Sequence, residues 1–335
     1  MEKIVSLAPL PVEIIWRMMS DCGIALPPDL EIVNANPLSH SEIVSAVKGS
    51  SAILGDYTFK QKITREIALA AKGALLIQQP SVGYQHIDID ACTEVGIPVA
   101  NTAGANTISA AEHTFMVALC LLKNLMTAHR SAVAGQWLQL EIGSVEIHGK
   151  TWGLIGMGQI GRAIAERLTA FGVDILYTDP VRLEKEDENR LCASYQEIDQ
   201  LLSASDIVSV HCPLTDATYA LIDRRRLALM KPSAVLINIA RGEIVDEQAL
   251  ANALSENRIA GAAVDVFSEE PLSTDNPLLQ VQSDNLILTP HLAGTTNESK
   301  IRIISTAISN LAKALVGEKP QFVVNEVGDI RRRTG

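Results

Sequence analysis

Gly156-Met157-Gly158-Gln159-Ile160-Gly161 stands between an apolar β-like run, 151–155, and a stretch of helical spacing, 160–171. Glycines at this spacing have separate uses in a strand–turn–helix. Gly156 permits the tight turn, Gly158 lets backbone approach a pyrophosphate, and Gly161 lets helix and strand pack closely. The helix N-terminus then offers unpaired N–H groups and a partial positive charge to phosphates. Asp179 closes the next β-like run, 174–178, 23 residues after Gly156. A carboxylate there accepts both ribose hydroxyls of NAD and repels a 2′-phosphate, so the reading favours NAD over NADP. A GxGxxG alone is a weak signal, and the competing reading is a glycine-rich turn in an ordinary βαβ unit.

Outward from this turn the same alternation continues. Further β-like runs fall at 206–211, 234–239, 261–266 and 285–289, with helical stretches at 198–203 and 247–255. That makes about six strands around the turn, the number of a dinucleotide-binding domain. Before it, β-like runs at 4–8, 31–35, 51–55 and 74–78 alternate with helical stretches at 12–20, 41–47 and 63–71. A long helix is expected over 107–128, with Ser109 and Glu112 opening it as a capping box. A last helix, 297–316, and a short strand, 322–324, return to the first domain. The fold class is α/β, with two doubly wound parallel-sheet domains. The expected boundaries are 1–101, 102–289 and 290–335.

The 335 residues suffice for two such domains, and 47% apolar with 20% charged residues is ordinary globular usage. A net charge of −11 argues against nucleic acid as a partner. Arg224-Arg225-Arg226 reads as a solvated helix face and Arg331-Arg332-Arg333 as a frayed tail. The five cysteines contain no Cys-x-x-Cys, and no His/Asp/Glu cluster has metal spacing. Glu2, Glu13 and the early prolines do not fit a signal peptide, and no apolar run approaches a membrane span. The expectation is a cytoplasmic protein with no membrane partner.

Five further motifs follow in order. They are 101–113 (NTAGANTISAAEH), 210–215 (VHCPLT), 238–246 (NIARGEIVD), 265–271 (DVFSEEP) and 290–295 (PHLAGT). With the glycine turn they resemble the D-isomer-specific 2-hydroxyacid dehydrogenase family over about residues 50–325. The resemblance implies a Rossmann NAD-binding domain inserted into a flavodoxin-like substrate domain, and a homodimer. It also implies reversible hydride transfer between NAD(H) and a small 2-keto or 2-hydroxy acid, glyoxylate-, hydroxypyruvate- or phosphoglycerate-like.

The chemistry asks for these residue types on its own account. Arg241 carries a permanent planar cation suited to a carboxylate, and it can polarise a carbonyl. His291 follows a strand end and can give or take a proton. Glu270 would hold the other ring nitrogen and favour the charged imidazole. Glu269 is its nearest rival; the family's interval from the arginine, 29 residues here, selects Glu270. By resemblance, backbone N–H groups at Ser81, Val82 and Gly83 meet the substrate carboxylate, with Gln85 where many members carry Asp. Asp265 and the Ile239 backbone would meet the nicotinamide carboxamide. Gln159, Ile160, Thr107, His211, Pro213, Thr218 and Ala293 are further cofactor contacts. His113 reads as a core histidine, and Trp137 as either loop packing or a neighbour's pocket. The alternative function is an NAD(H)-sensing, dimeric, corepressor-like binding protein on the same scaffold. Formate and phosphite dehydrogenases fit less well, since they carry Gln for Glu270 and Lys for Val82.

Overall fold

The computed structural model describes residues 2–281 and 284–327. They form two compact units, one from the described residues of 2–106 and 297–327, the other from those of 107–296.

In the first unit, strands β1 (Lys3–Ser6), β2 (Glu31–Asn34), β3 (Ala52–Leu54), β4 (Leu76–Gln78) and β5 (Val99–Ala100) form one parallel sheet in the order β2-β1-β3-β4-β5. This is the flavodoxin-like order. Helices α1 (Val12–Asp21), α2 (His40–Ala46), α3 (Arg65–Ala70) and α4 (Ile89–Glu94) make the crossovers. Thr64 and Asp88 start α3 and α4 by accepting the N–H groups of Ile67 and Ala91. The strands are short and apolar on both faces because a core lies on each side. Val5, Ile53 and Ile77 point into one core, Ile4, Leu54 and Leu76 into the other.

The second unit opens with α5 (Thr107–Leu122) and α6 (Leu125–Val133). It continues as β6 (Thr151–Ile155), α7 (Gln159–Leu168), β7 (Asp174–Thr178), α8 (Lys185–Leu191), β8 (Ala193–Tyr195), α9 (Ile198–Ala204) and β9 (Ile207–Val210). Next come α10 (Arg224–Leu227), β10 (Val235–Asn238), α11 (Glu247–Ser255), β11 (Gly261–Val264) and β12 (Leu286–Leu288). The seven-stranded parallel sheet has the order β12-β11-β10-β9-β6-β7-β8. That is the 3-2-1-4-5-6 Rossmann order with one strand added beyond the sixth. Helix α5 buries Ala111, Phe115, Ala118 and Leu121 in the core shared with Trp152, Ile164 and Ile237. Each large apolar side chain so enclosed is worth about 1.5–3 kcal/mol. The chain then returns to the first unit as α12 (Asn297–Leu315), burying Ala307, Ile308 and Leu311 beside Ile15 and Met19 of α1.

Several expectations change. The single helix expected over 107–128 is two, broken at Asn124, whose backbone is left-handed (φ 47°). Its side chain donates to Ile142 O at 2.7 Å, which offsets a conformation that L-residues avoid. Ser109 does not cap this helix. Thr107 is the first helical residue, and the buried Ser109 hydroxyl lies 2.9 Å from Thr296 Oγ1. The seventh strand, β8, was not among the six expected. The short 322–324 strand reduces to one antiparallel bridge, Ala100 to Val323. The compact units break at 106/107 and 296/297, beyond the expected 101/102 and 289/290. Backbone N–H groups of 291–293 are tied to Asp265, and Thr296 to Ser109, which keeps 290–296 with the second unit. Arg225 and Arg226 both pair with Asp199. Arg331–Arg333 lie outside the described residues.

Candidate active site

The glycine turn joins β6 to α7. Gly156 has φ 101°, and a Cβ there would sit 2.6 Å from Cys212 N. At Gly161 a Cβ would overlap Gly156 O. At Gly158, the residue before α7, a Cβ would meet nothing within 4 Å, and no side chain caps the helix. The open space therefore faces an uncapped helix N-terminus, which suits a diphosphate. Asp179 sits just beyond β7. Its Oδ2 accepts Met157 N–H at 2.7 Å and its Oδ1 accepts Val181 N–H at 2.9 Å, so the carboxylate is anchored to the turn itself. The residues present fit a dinucleotide.

Other cofactor candidates are placed differently from one another. Thr107 Oγ1 lies 3.4 Å from Gln159 Oε1, which puts both at the turn. Ile160 and Ile239 are partly buried against the core. His211 is next to Gly156 through its backbone, while its ring turns inward. Nε2 lies 2.8 Å from Ser209 Oγ and Nδ1 is buried without a protein partner among the described residues. Burial pushes its pKa down to about 3, although one edge of the residue keeps some exposure. Thr218 Oγ1 donates to Pro213 O at 2.7 Å and accepts Thr215 N–H at 2.7 Å, closing the 213–218 loop.

The three residues expected to do chemistry all lie in the second unit. Asn238, buried at the end of β10, accepts Ala240 N–H and donates to Arg241 O, which shapes the turn that presents Arg241. The guanidinium donates to Ala240 O at 2.6 Å. Burial lowers its pKa from the usual arginine range, opposed by the charges of Glu270 and Glu243. It remains a cation at any working pH. His291 follows β12 in a left-handed conformation (φ 51°), with its N–H shared between Asp265 O and Thr289 O. Its Nδ1 lies 2.7 Å from Glu270 Oε2. Its Nε2 has no protein partner among the described residues. Burial raises the Glu270 carboxyl, but the hydrogen bonds from His291 and Phe267 N–H and the charges of His291 and Arg241 outweigh it, so the pKa lies below the usual range. The ionised carboxylate, bonded to Nδ1, fixes the ring orientation and leaves Nε2 facing away from it. The group can bind an anion, polarise a carbonyl and exchange one proton.

Asp265 has a role the sequence did not show. Its Oδ1 accepts Leu292 N–H at 2.9 Å and the Thr289 hydroxyl at 2.5 Å; its Oδ2 accepts Ala293 N–H at 2.8 Å. This buried carboxylate, expected at the nicotinamide carboxamide, is engaged in holding the His291 turn. The Ala293 N–H is likewise already used. Thr289 Oγ1 also lies 3.4 Å from His113 Nε2, so the core histidine backs the same turn. The only sequence signal was an acidic residue at a strand end; its partners lie 24 to 28 positions away.

Ser81, Val82 and Gly83 form a turn in the first unit. Their carbonyls accept from Thr102 N–H, Asn101 Nδ2 and Ser81 Oγ respectively. The N–H groups of Val82 and Gly83 find no protein acceptor among the described residues. The turn thus leaves two backbone donors unused, as a site for an anion requires, although Gly83 itself is buried. Asn101, within the 101–113 motif, sets this turn by a bond across 19 positions, which no local pattern shows.

The profile of the D-isomer specific 2-hydroxyacid dehydrogenase NAD binding domain matches residues 115–293. The chain is 41% identical to a glyoxylate reductase of Thermofilum pendens over 294 residues, 87% of this chain and 86% of that one. It is 37% identical to a D-3-phosphoglycerate dehydrogenase of Archaeoglobus fulgidus over 85% of this chain but 54% of the relative. Among solved structures, a glyoxylate reductase of Paecilomyes thermophila superposes with a TM-score of 0.85 at 27% identity, covering 96% of this chain and 98% of that one.

Proposed function

The chain belongs to the D-isomer-specific 2-hydroxyacid dehydrogenase family, and from that premise we propose which residues act and on what. It is an NAD-dependent oxidoreductase acting on the CH–OH group of hydroxy acids. We assign it a small 2-keto acid of the glyoxylate or hydroxypyruvate class, reduced to the 2-hydroxy acid. NADH, when bound, supplies the hydride that reaches C2. Arg241 pairs with the substrate carboxylate and draws electron density from the carbonyl. In the first unit, the Val82 and Gly83 N–H groups are donors of the kind an anion takes. His291 delivers the proton from Nε2 to the carbonyl oxygen and takes it back in the reverse direction. Glu270 holds Nδ1 through both directions. Gly156, Gly158 and the N-terminus of α7 would hold the diphosphate, and Asp179 the ribose.

The observation that carries this reading is the 2.7 Å Glu270–His291 hydrogen bond, with Arg241 electrostatically coupled to the same carboxylate. The sensor reading gains nothing from either the geometry or the relatives. We also infer a homodimer formed through the second unit. Its support is exposed apolar surface: Met116 on α5, Leu125, Met126 and Val133 on α6, and Trp137 and Leu140 in the following loop. We place the protein in the cytoplasm, in keeping with five unpaired cysteines. Among the described residues no helix is long and apolar enough to cross a membrane.

The test is NADH consumption with glyoxylate, hydroxypyruvate, 3-phosphohydroxypyruvate and larger 2-keto acids, repeated with NADPH. Turnover of a small keto acid that is lost in His291→Ala supports the assignment. Silence with every acid while NADH still binds would sink it and restore the sensor.

A further inference from the structure

Between β11 and β12 the chain makes a long excursion that carries Glu270, exposed along 268–271. One side chain outside it touches both of its feet. Glu247, the first residue of α11, accepts Ser268 N–H at 2.8 Å on Oε1. Its Oε2 accepts the Ser268 hydroxyl at 2.9 Å and Asn276 Nδ2 at 2.7 Å. Asn276, buried, is itself fixed by accepting Leu278 N–H. Ser268 lies two residues before Glu270, and Phe267, one residue earlier, donates its N–H to Glu270 Oε1. Glu247 also stands on the segment that begins at Arg241. Gly242 of that segment packs so closely on Phe267 and Ser268 that any Cβ there would overlap their backbone.

We propose that Glu247 is a positioning residue for the Glu270–His291 pair, clamping the two feet of the Glu270 excursion to the segment that carries Arg241. The inference rests on the acid–base assignment above. Glu270 is otherwise an exposed residue on a polar loop, and among the described residues only the Phe267 N–H holds its side chain to that loop. A carboxylate meeting three donors at 2.7–2.9 Å is a strong, geometrically demanding tether. A displacement of about 1 Å in a reacting group can cost on the order of a hundredfold in rate. The substituent at 247 therefore acts on turnover without touching substrate.

The experiment compares Glu247→Ala, Glu247→Gln, Glu270→Gln and the Glu247→Ala/Glu270→Gln double variant. It uses the full-length protein, NADH, and whichever of glyoxylate or hydroxypyruvate the parent reduces faster. The expected result is a fall in kcat of about ten- to a hundredfold in Glu247→Ala, the range for a misplaced catalytic group. NADH affinity by fluorescence stays within twofold. Glu247→Gln, which keeps one acceptor oxygen, recovers part of the rate. In the Glu270→Gln background, Glu247→Ala costs no more than a further twofold, because the group it positions is already gone. A readout independent of turnover is the ¹⁵N resonance of His291 Nδ1, assigned with His291→Asn. It moves in Glu247→Ala toward its position in Glu270→Gln. If Glu247→Ala fails to fold, Glu247→Gln and Asn276→Ala carry the same comparison. A kcat within twofold of the parent, an equal loss in both backgrounds, or an unmoved resonance overturns the proposal. Glu270→Gln with undiminished turnover would instead overturn the acid–base assignment, and this inference with it.

Discussion

His291 has its Nδ1 on Glu270, and its Nε2 has no protein partner among the described residues. Nδ1 orients the ring, and in the proposed reaction Nε2 is the atom left to meet the substrate. Replacing His291 by Ala removes the proton donor, and kcat is expected to fall by about 10²–10⁴, read as NADH consumption at saturating keto acid. Arg241→Lys keeps the charge but loses the planar fork. We expect a rise of about tenfold or more in KM for the keto acid, with NADH affinity unchanged. An unchanged KM would show that the carboxylate is bound elsewhere. Arg241, Glu270 and His291 stand out as candidates in the sequence because each lies in a short motif of its own. The residues behind them do not. Asp265 holds the His291 turn across 24 to 28 positions, and Glu247 reaches Ser268 and Asn276 across 21 and 29. No local pattern encodes a hydrogen bond over that distance.

Elements with a strong repeating pattern or a full turn of caps were legible, and the shortest ones were not. The strand–turn–helix at β6 and α7 is where expected, since three glycines, an apolar strand and an acidic residue all point the same way. It also yields a sharp prediction. In Gly161→Ala the new methyl overlaps Gly156 O, an overpacking that costs about 1–3 kcal/mol. Thermal unfolding should show a lower midpoint, and NADH titration a weaker affinity. A variant that melts and binds like the parent would mean the turn relaxes freely. Two-residue β5, three-residue β8 and six-residue α4 escaped notice, because elements this short are formed by the sheet and core they join. The α5–α6 break escaped too. The apolar pattern runs through it, and what stops the helix is Asn124 bonding Ile142, 18 residues on.

At the scale of the whole molecule, two parallel sheets with helices on both faces follow from the alternation of apolar runs and amphipathic stretches. The strand orders complete the argument, because right-handed crossovers leave few ways to wind such a chain. Two buried imidazoles make its stability depend on pH. His86, with both ring nitrogens buried and unpartnered among the described residues, is pushed down to about 4 by burial, and His211 to about 3. Both rings are neutral in the folded protein where an unfolded histidine, titrating near 6.5, binds a proton. The unfolded state therefore holds more protons below that value. Stability falls as pH drops from 6.5 toward 4 and 3, where the folded rings also titrate and this loss levels off. Unfolding midpoints across that range should show a shallower acid slope in His86→Phe than in the parent; equal slopes would refute the assignment. For assembly, Trp137→Glu with Leu140→Glu should reduce the light-scattering mass from twice to once the 36.1 kDa chain. A parent already at one chain mass would remove the dimer.

By itself the sequence determined the two-sheet α/β class and the strand–glycine turn–helix, and it singled out Arg241, Glu270 and His291 as candidates. Each of these is written in residues that are neighbours along the chain, within reach of a turn or a strand's alternation. Only the tertiary structure decided how those residues are held. It put Asp265 behind the left-handed His291, Glu247 across the feet of the Glu270 excursion, and Asn101 against the turn that carries the donors at 82 and 83. The reason is physical: these are hydrogen bonds between segments brought together by the burial of their strands and helices, and burial is a property of the packed chain.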